Sequence, residues 1–109
     1  MPATLIVEET FALHTLRLTE VEGPEPGRVF TLAKSGEAGR HPECDVPLPD
    51  GHVSRHHARF VLGQAGVWTV EDAGSANGTR VNEEEIEAAT ALTDGDLVRL
   101  STVVLKVNL

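Results

Sequence analysis

Residues 39 to 79 read GRHPECDVPLPDGHVSRHHARFVLGQAGVWTVEDAGSANGT, and this stretch decides the fold. It contains three short blocks in a fixed order, Gly39-Arg40, Ser54-Arg55-His56-His57 and Gly74-Ser75-Ala76-Asn77-Gly78-Thr79. Cys44-Asp45-Val46 separates the first two blocks, and Trp68 lies between the second and the third. Each block is common by itself, but their joint order is rare by chance. Together they offer the arginine, hydroxyl and loop-amide donors that a phosphate group with three acceptor oxygens requires.

The charge distribution around these blocks favours a small anionic ligand. The formal net charge of −8 argues against general nucleic-acid binding, which needs a surplus of cations over phosphates. The stretch 51–62 has no carboxylate, although it contains His52, Arg55, His56, His57 and Arg59. Further along, Glu83, Glu84, Glu85 and Glu87 form an acidic cluster that we interpret as a solvated rim. A local cationic patch on an acidic body suits one small anion better than a polyanion.

Length and composition predict one globular domain over residues 1–109. A chain of 109 residues buries enough surface for an independent core, and its 40% apolar content is ordinary for globular proteins. Cys44 is the only cysteine, so no intramolecular disulfide can form, which fits a reducing compartment. Near the start the longest apolar run is Leu5-Ile6-Val7, too short for a signal peptide or a membrane span. We expect a cytoplasmic, monomeric domain with no membrane contact.

Alternating apolar and polar residues predict many short strands and no convincing helix. The predicted strands cover residues 13–19, 29–33, 57–62, 67–70, 79–81, 85–86, 97–100 and 103–107. Turn-forming residues separate them at 22–27, 63–66 and 93–96. Residues 83–91 include helix formers, but only Ile86 and Leu92 would contribute to an apolar stripe. Short strands separated by turns in this way are typical of an antiparallel β-sandwich.

The three blocks together resemble the forkhead-associated (FHA) domain, and the resemblance runs over about residues 39–107. It implies an all-β fold, an antiparallel β-sandwich of two twisted sheets with about eleven strands. It also implies a non-enzymatic module that binds phosphothreonine peptides in Ser/Thr kinase signalling. The partner would be a phosphothreonine-containing protein or peptide that a Ser/Thr protein kinase has prepared. No cofactor is implied.

The resemblance assigns phosphopeptide-binding roles to Arg40, Ser54, Arg55 and Asn77. Arg40 would grip the phosphate, and Ser54 would donate its hydroxyl to a phosphate oxygen. Arg55 holds the variable position after this serine and would add a second cation. Asn77 would hold the peptide backbone beside the phosphothreonine through its side-chain amide.

Three further residues would shape the loops rather than contact the ligand. Gly39 and Gly78 would permit loop conformations that a Cβ atom obstructs. His57 matches the histidine of the Ser-x-x-His block, which braces the loops in this family.

The chain departs from the family pattern at three positions. Ala76 stands where many FHA domains carry Thr, Ser or a basic residue, and losing that donor removes about 1–2 kcal/mol of contact. Asn82-Glu83 replaces an Asn-Gly turn, which suggests a different or longer hairpin loop. Leu100-Ser101 stands where a Leu-Gly pair is usual.

Catalysis is one competing interpretation of these residues. Ser54, His57 and Asp72 are the residue types of a hydrolytic triad. The Gly-x-Ser-x-Gly pattern of a nucleophile elbow is absent around Ser54, however, and the chain has no second lobe to enclose a substrate. We therefore predict that the protein is not an enzyme.

A zinc-binding domain and a docking module for an unphosphorylated partner also compete with phosphothreonine binding. The candidate zinc ligands are His41, Cys44, His52, His56 and His57, but no Cys-x-x-Cys or His-Glu-x-x-His spacing occurs. We therefore predict no metal site. A docking module would keep the fold without the phosphate dependence, because a fold alone does not fix a function.

Overall fold

The computed structural model describes residues 14–109 and contains eleven β-strands in that range. These are β1 (Leu16–Glu22), β2 (Val29–Leu32), β3 (Gly36–Gly39), β4 (Val46–Pro47), β5 (Ala58–Leu62), β6 (Trp68–Asp72), β7 (Thr79–Val81), β8 (Glu84–Glu85), β9 (Thr90–Ala91), β10 (Leu97–Leu100) and β11 (Val103–Asn108). A short 3₁₀ turn, Gln64–Gly66, joins β5 to β6. Leu13 and the apolar run 5–7 lie outside the described residues. Within 14–109, no helix has both the length and the apolar character that crossing a membrane demands.

The strands form two sheets that pack as a sandwich. The six-stranded sheet has the order β2-β1-β11-β10-β7-β8, and the five-stranded sheet has the order β4-β3-β5-β6-β9. Every pairing given for the described strands is antiparallel except that of β3 with β4, which is parallel. The predicted all-β sandwich is confirmed, and the parallel pair is a feature that the sequence pattern did not indicate.

Alternating side chains fill the space between the sheets. In β1 the buried residues Leu16 and Leu18 flank the exposed Arg17, because successive strand residues point to opposite faces. Phe60 on β5 and Trp68 on β6 enter the same core. A large apolar side chain contributes roughly 1.5–3 kcal/mol when fully buried, so these strands hold together mainly through this layer.

β3 and β4 have no sequence signature of a strand, yet they position the candidate site. The segment Gly36–Gly39 carries no β-branched or aromatic residue, and Val46–Pro47 has only two residues. β3 is held between β4 and β5, so its pairing comes from neighbours that are distant in sequence. As a consequence, the chain emerges from the end of β3, directly after Gly39, beside the loop that precedes β5.

The expectation of a different or longer loop at Asn82-Glu83 is wrong. β7 pairs with β8 so that Val81 lies opposite Glu84, which leaves a loop of two residues. Both adopt the left-handed backbone region, with φ of 51° at Asn82 and 70° at Glu83. Positive φ values at both central residues are characteristic of a type I′ turn, for which Asn-Gly is a preferred pair. Ser101, with φ of 58°, is likewise a non-glycine residue in this region at the position where a Leu-Gly pair is usual.

Replacing Glu83 by glycine is expected to stabilise the protein by about 0.5–1 kcal/mol. A residue with a Cβ atom loses roughly 1–2 kcal/mol in the left-handed region. The exposed ion pair of Glu83 with Arg99, at 3.0 Å, returns only a fraction of that. Urea unfolding monitored by Trp68 fluorescence would measure the change. As a matched control, Glu84→Gly in β8 should destabilise the protein, and a Glu83→Gly variant that unfolds as early as this control would contradict the argument.

Candidate functional site

The segment after β3 lies against the loop that precedes β5. The amide of Arg40 donates to the carbonyl of Ser54 at 2.9 Å, and the amide of His41 donates to the carbonyl of Arg55 at 3.1 Å. A Cβ atom at Gly39 would come within 2.1 Å of the Arg55 carbonyl oxygen. Only glycine permits this approach, which brings Arg40 and Ser54 side by side.

The Arg40 guanidinium is oriented but keeps most of its donors. Its Nε–H donates to the carbonyl of Val53 at 3.1 Å, which fixes the direction of the side chain. In the described range, Arg40 and Arg55 are both exposed and neither pairs with a carboxylate. The terminal N–H groups of Arg40 therefore remain available as a planar fork, the geometry that matches phosphate oxygens.

Ser54 bridges two loops through its hydroxyl. Its Oγ accepts the amide N–H of Ala76 at 3.0 Å, and its own amide donates to Nδ1 of His57 at 3.1 Å. Because Oγ already accepts a hydrogen bond, the hydroxyl hydrogen is free to donate. Ser54 can therefore donate to an anion beside Arg40.

His57 is fully buried and has partners for both ring nitrogens. Nδ1 accepts the Ser54 amide hydrogen, so the ring hydrogen is on Nε2, which donates to the carbonyl of Gly78 at 2.8 Å. The ring thus connects the loop before β5 to the loop before β7. Asp72 accepts hydrogen bonds from Ser75 and Thr79 instead of from this ring, whose two nitrogens have other partners, so Ser54, His57 and Asp72 do not form a hydrolytic triad.

Asp72 organises the loop of residues 73–78, a role that was not predicted from the sequence. Its Oδ2 accepts the amides of Gly74 and Ser75, each at 3.0 Å, and its Oδ1 accepts the hydroxyls of Ser75 and Thr79. An aspartate two residues before a glycine is the usual signal of such a local turn. Burial alone would raise the pKa of Asp72, but the hydrogen bonds from Ser75, Thr79 and Gly74 outweigh it and lower the pKa.

Acidification is expected to remove the contribution of Asp72 to stability. Because its pKa is lower in the folded state, the stabilisation is present above the unfolded pKa of about 3.9 and is lost as the pH falls through the folded pKa. The free energy of unfolding of Asp72→Asn should therefore depend less on pH below about pH 4. Urea titrations of both proteins from neutral pH to pH 3 would measure this. The pKa values of Asp50 and Asp96 are lowered as well, so the free energy of unfolding should still fall with pH in both proteins, only less steeply in Asp72→Asn.

Asn77 stands at the tip of the same loop, beside a shallow groove. Its Nδ2 donates to the carbonyl of His52 at 3.0 Å and to the hydroxyl of Ser101 at 3.4 Å. Both bonds use the amide nitrogen, so Oδ1 keeps its capacity to accept a peptide N–H. The groove has a volume of about 290 Å³ and is lined by Asn77, Gly78, Arg80, Arg99 and Ser101.

The groove residues Arg80 and Arg99 were not predicted from the sequence. They are opposite each other on β7 and β10, and Gly78, with φ of 80°, turns the chain between Asn77 and β7. Arg99 is paired with Glu83 at 3.0 Å and with Glu22 at 3.8 Å, whereas Arg80 pairs with no carboxylate among residues 14–109, so Arg80 is the cation that the groove offers to an anionic ligand.

A second, larger cavity of about 640 Å³ is unsuited to phosphate. Its lining includes the carboxylates of Glu84, Glu85, Glu87 and Asp96, and it contains none of the predicted phosphopeptide-binding residues. Negative charge of this density would repel a phosphate dianion. The acidic cavity is the larger of the two, but it lacks the cationic and hydroxyl donors that Arg40 and Ser54 offer at the candidate site.

Comparison with known families agrees with the motif order. The family model described as the FHA domain matches residues 37–101, which include all three blocks. The chain belongs to the FHA family. The fold of this FHA domain and the order of its blocks thus agree with the resemblance inferred from the sequence.

Two curated relatives are regulatory proteins. The glycogen accumulation regulator GarA of Mycolicibacterium smegmatis is 46% identical over 79 residues, which are 72% of this chain and 49% of GarA. The oxoglutarate dehydrogenase inhibitor of Corynebacterium diphtheriae is also 46% identical over 79 residues, which are 72% of this chain and 54% of that protein. The chain spans about half the length of these relatives.

A solved structure supports the architecture. It comes from work on phosphothreonine-dependent FHA domain interactions and superposes with a TM-score of 0.78 at 31% identity. The match covers 87% of this chain and 96% of the solved one. The similarity therefore extends over both sheets rather than over the motif alone.

Proposed function

We propose that this FHA domain binds peptides that carry phosphothreonine and so mediates phosphorylation-dependent protein–protein interaction in Ser/Thr kinase signalling. One observation carries the proposal: backbone and side-chain hydrogen bonds unite the loops that present Arg40, Ser54 and Asn77, each with unused hydrogen-bonding capacity. The names of the relatives, a regulator and an inhibitor, support a binding role rather than catalysis. The solved relative from work on phosphothreonine-dependent interactions supports the ligand class.

Different residues of the site recognise the phosphate group and the peptide backbone of the ligand. The Arg40 fork and the Ser54 hydroxyl bind phosphate oxygens, and Arg55 adds a second positive charge at the rim. Oδ1 of Asn77 accepts an N–H of the peptide backbone next to the phosphothreonine. A cytoplasmic phosphoprotein prepared by a Ser/Thr kinase is the partner that this arrangement fits.

A matched pair of peptides tests the proposal. Phosphothreonine peptides selected from a library should bind with dissociation constants near 1 μM, about −8 kcal/mol, and the same sequences without phosphate should bind at least 100-fold more weakly. Isothermal titration calorimetry would measure both. Equal affinity for the two forms would instead establish a docking module, in which the same fold binds an unphosphorylated partner.

Restoring a donor at position 76 is expected to increase phosphopeptide affinity. Ala76 is exposed, and its amide is held by the Ser54 hydroxyl, so its side chain lies at the edge of the site. A hydroxyl in Ala76→Thr should add about 1–2 kcal/mol, a gain of about 5- to 30-fold, in calorimetric titrations. Ala88→Thr, an exposed alanine in the acidic cavity, is the matched control. If both variants bind like the unmodified protein, position 76 does not reach the ligand.

A further inference from the structure

A carboxylate, a thiol and an imidazole meet beside the phosphate loops. Glu37 is on β3, Cys44 is in the loop after it, and His56 is in the loop before β5. One ligand atom of each lies within 4.8 Å of the other two. The spacing of these residues matches no metal motif, and Glu37 was not among the zinc ligands considered from the sequence. The cluster exists because β3 pairs with β5.

The three ligand atoms are near enough that small movements would bring them onto one metal ion. Zinc binds sulfur at about 2.3 Å and imidazole nitrogen or carboxylate oxygen at about 2.0–2.2 Å, in a tetrahedral arrangement. Ligand atoms around one ion are therefore roughly 3–4 Å apart. Nδ1 of His56 and Oε1 of Glu37 are 2.6 Å apart and form a hydrogen bond. A metal ion would take the place of the bridging hydrogen, and the nitrogen and oxygen would move slightly apart.

The cluster is held in place before any ion binds. The ring of His56 stacks on that of His41 with centroids 5.4 Å apart. The amide of Cys44 donates to the carbonyl of His41 at 3.0 Å, and its thiol donates to the carbonyl of Arg55 at 3.4 Å. A site whose ligands are positioned by neighbouring contacts loses little entropy on binding an ion.

The electrostatic environment of the thiol favours a cation. Burial, then the charge of Glu37 and then that of Asp45, raise the pKa of Cys44. These carboxylates disfavour a thiolate when no cation is present, but they also attract a positive ion. The bound ion would then stabilise the thiolate. Arg59 lies 3.8 Å from Oε2 of Glu37, so its contact is with the oxygen that does not bond to His56.

We propose that Glu37, Cys44 and His56 form a binding site for a zinc-type divalent ion, with three protein ligands and an open fourth position. The ion would join β3 to the loop carrying Cys44 and to the loop carrying Ser54 and His56. These segments flank Arg40, so the ion would fix the two loops that present the phosphate-binding side chains. The site is separate from the phosphate contacts themselves.

Titration with Co²⁺ and Zn²⁺ tests the site without any peptide, so its outcome is independent of the proposed phosphopeptide binding. The full chain, stripped of metal and kept reduced, should bind one equivalent of Co²⁺ with the intense near-ultraviolet absorption of a thiolate–cobalt bond. Zn²⁺ should displace the Co²⁺ and raise the melting temperature. Cys44→Ser should abolish the absorption, and Glu37→Gln and His56→Ala should each weaken Zn²⁺ binding at least tenfold.

His52→Ala is the matched control. His52 is an exposed histidine of the same loop whose ring contacts Asp50, so its removal should leave Zn²⁺ affinity unchanged. His56 is exposed as well, so His56→Ala keeps the test valid even if the buried Cys44 does not tolerate replacement. The proposal is wrong if Co²⁺ produces no thiolate absorption in the unmodified protein, or if His52→Ala and His56→Ala lower Zn²⁺ affinity equally.

Discussion

Replacing Arg40 by alanine is expected to reduce phosphopeptide affinity by about 30- to 5,000-fold. The guanidinium is held by the Val53 carbonyl and presents its remaining N–H groups outward, so its removal leaves the phosphate charge without its main partner. Truncating one member of such a charge pair costs about 2–5 kcal/mol, which gives the stated range. Calorimetry with one phosphothreonine peptide would measure the loss. Arg40→Lys should recover only part of it, because an ammonium group cannot present a planar fork.

The control for this experiment is an arginine at the other end of the sandwich. Arg17 is exposed on β1 and pairs with Asn108, at the far end of β11 from the turn that contains Ser101. Arg17→Ala changes the net charge by the same amount as Arg40→Ala, so it separates a local contact from a general effect of charge. Comparable losses in the two variants would refute the assignment of Arg40 as the phosphate ligand.

Urea unfolding of Arg40→Ala provides the second readout. Arg40 is exposed, and its side chain makes one hydrogen bond to the backbone, so the free energy of unfolding should change by less than about 1 kcal/mol. A binding loss without a stability loss is the signature of a direct ligand contact. This signature distinguishes Arg40 from the residues that shape the loops.

The sandwich could be predicted from the sequence alone because the alternation of apolar and polar residues that indicates a strand is a local pattern. Alternation along β1 and β5 reports directly on burial, as the inward Leu16 and Phe60 illustrate. The order of the three blocks was equally informative, since it identified the family whose model matches residues 37–101. The roles given to Arg40, Ser54, Arg55 and Asn77 stay predictions, although the contacts of the first two and of Asn77 are compatible with them.

The features that the sequence did not indicate depend on contacts between distant segments. Arg80 and Arg99 line one groove only because β7 pairs with β10, and Glu37 reaches His56 only because β3 pairs with β5. The register of these pairs is set by packing over the whole core, which no local pattern encodes. The loop at Asn82 was misjudged for a different reason. Asparagine tolerates the left-handed region, and the tight turn then forces the same conformation on Glu83.

Replacing His57 by alanine is expected to lower the free energy of unfolding by about 3–5 kcal/mol and to weaken phosphopeptide binding with it. The buried ring satisfies the amide of Ser54 and the carbonyl of Gly78, and each buried group left without a partner costs about 1–3 kcal/mol. The cavity left by the ring adds to this loss. Such a change is a large part of the 5–15 kcal/mol that stabilises a typical domain. Urea unfolding would measure the stability, and calorimetry at low temperature would measure binding by the fraction that remains folded.

The contrast with neighbouring residues decides whether His57 acts as a brace. His52→Ala removes an exposed ring whose one hydrogen bond within residues 14–109 is to Asp50, so the free energy of unfolding should change by no more than about 0.5 kcal/mol. Arg40→Ala should lose binding while keeping its stability, whereas His57→Ala should lose both, because only the bonds of Ala76 to Ser54 and of Asn77 to His52 would still hold the two loops together. If His57→Ala instead unfolds at the same urea concentration as the unmodified protein and loses only binding, the imidazole contacts the phosphate, and its two hydrogen bonds to the loops contribute nothing to the fold.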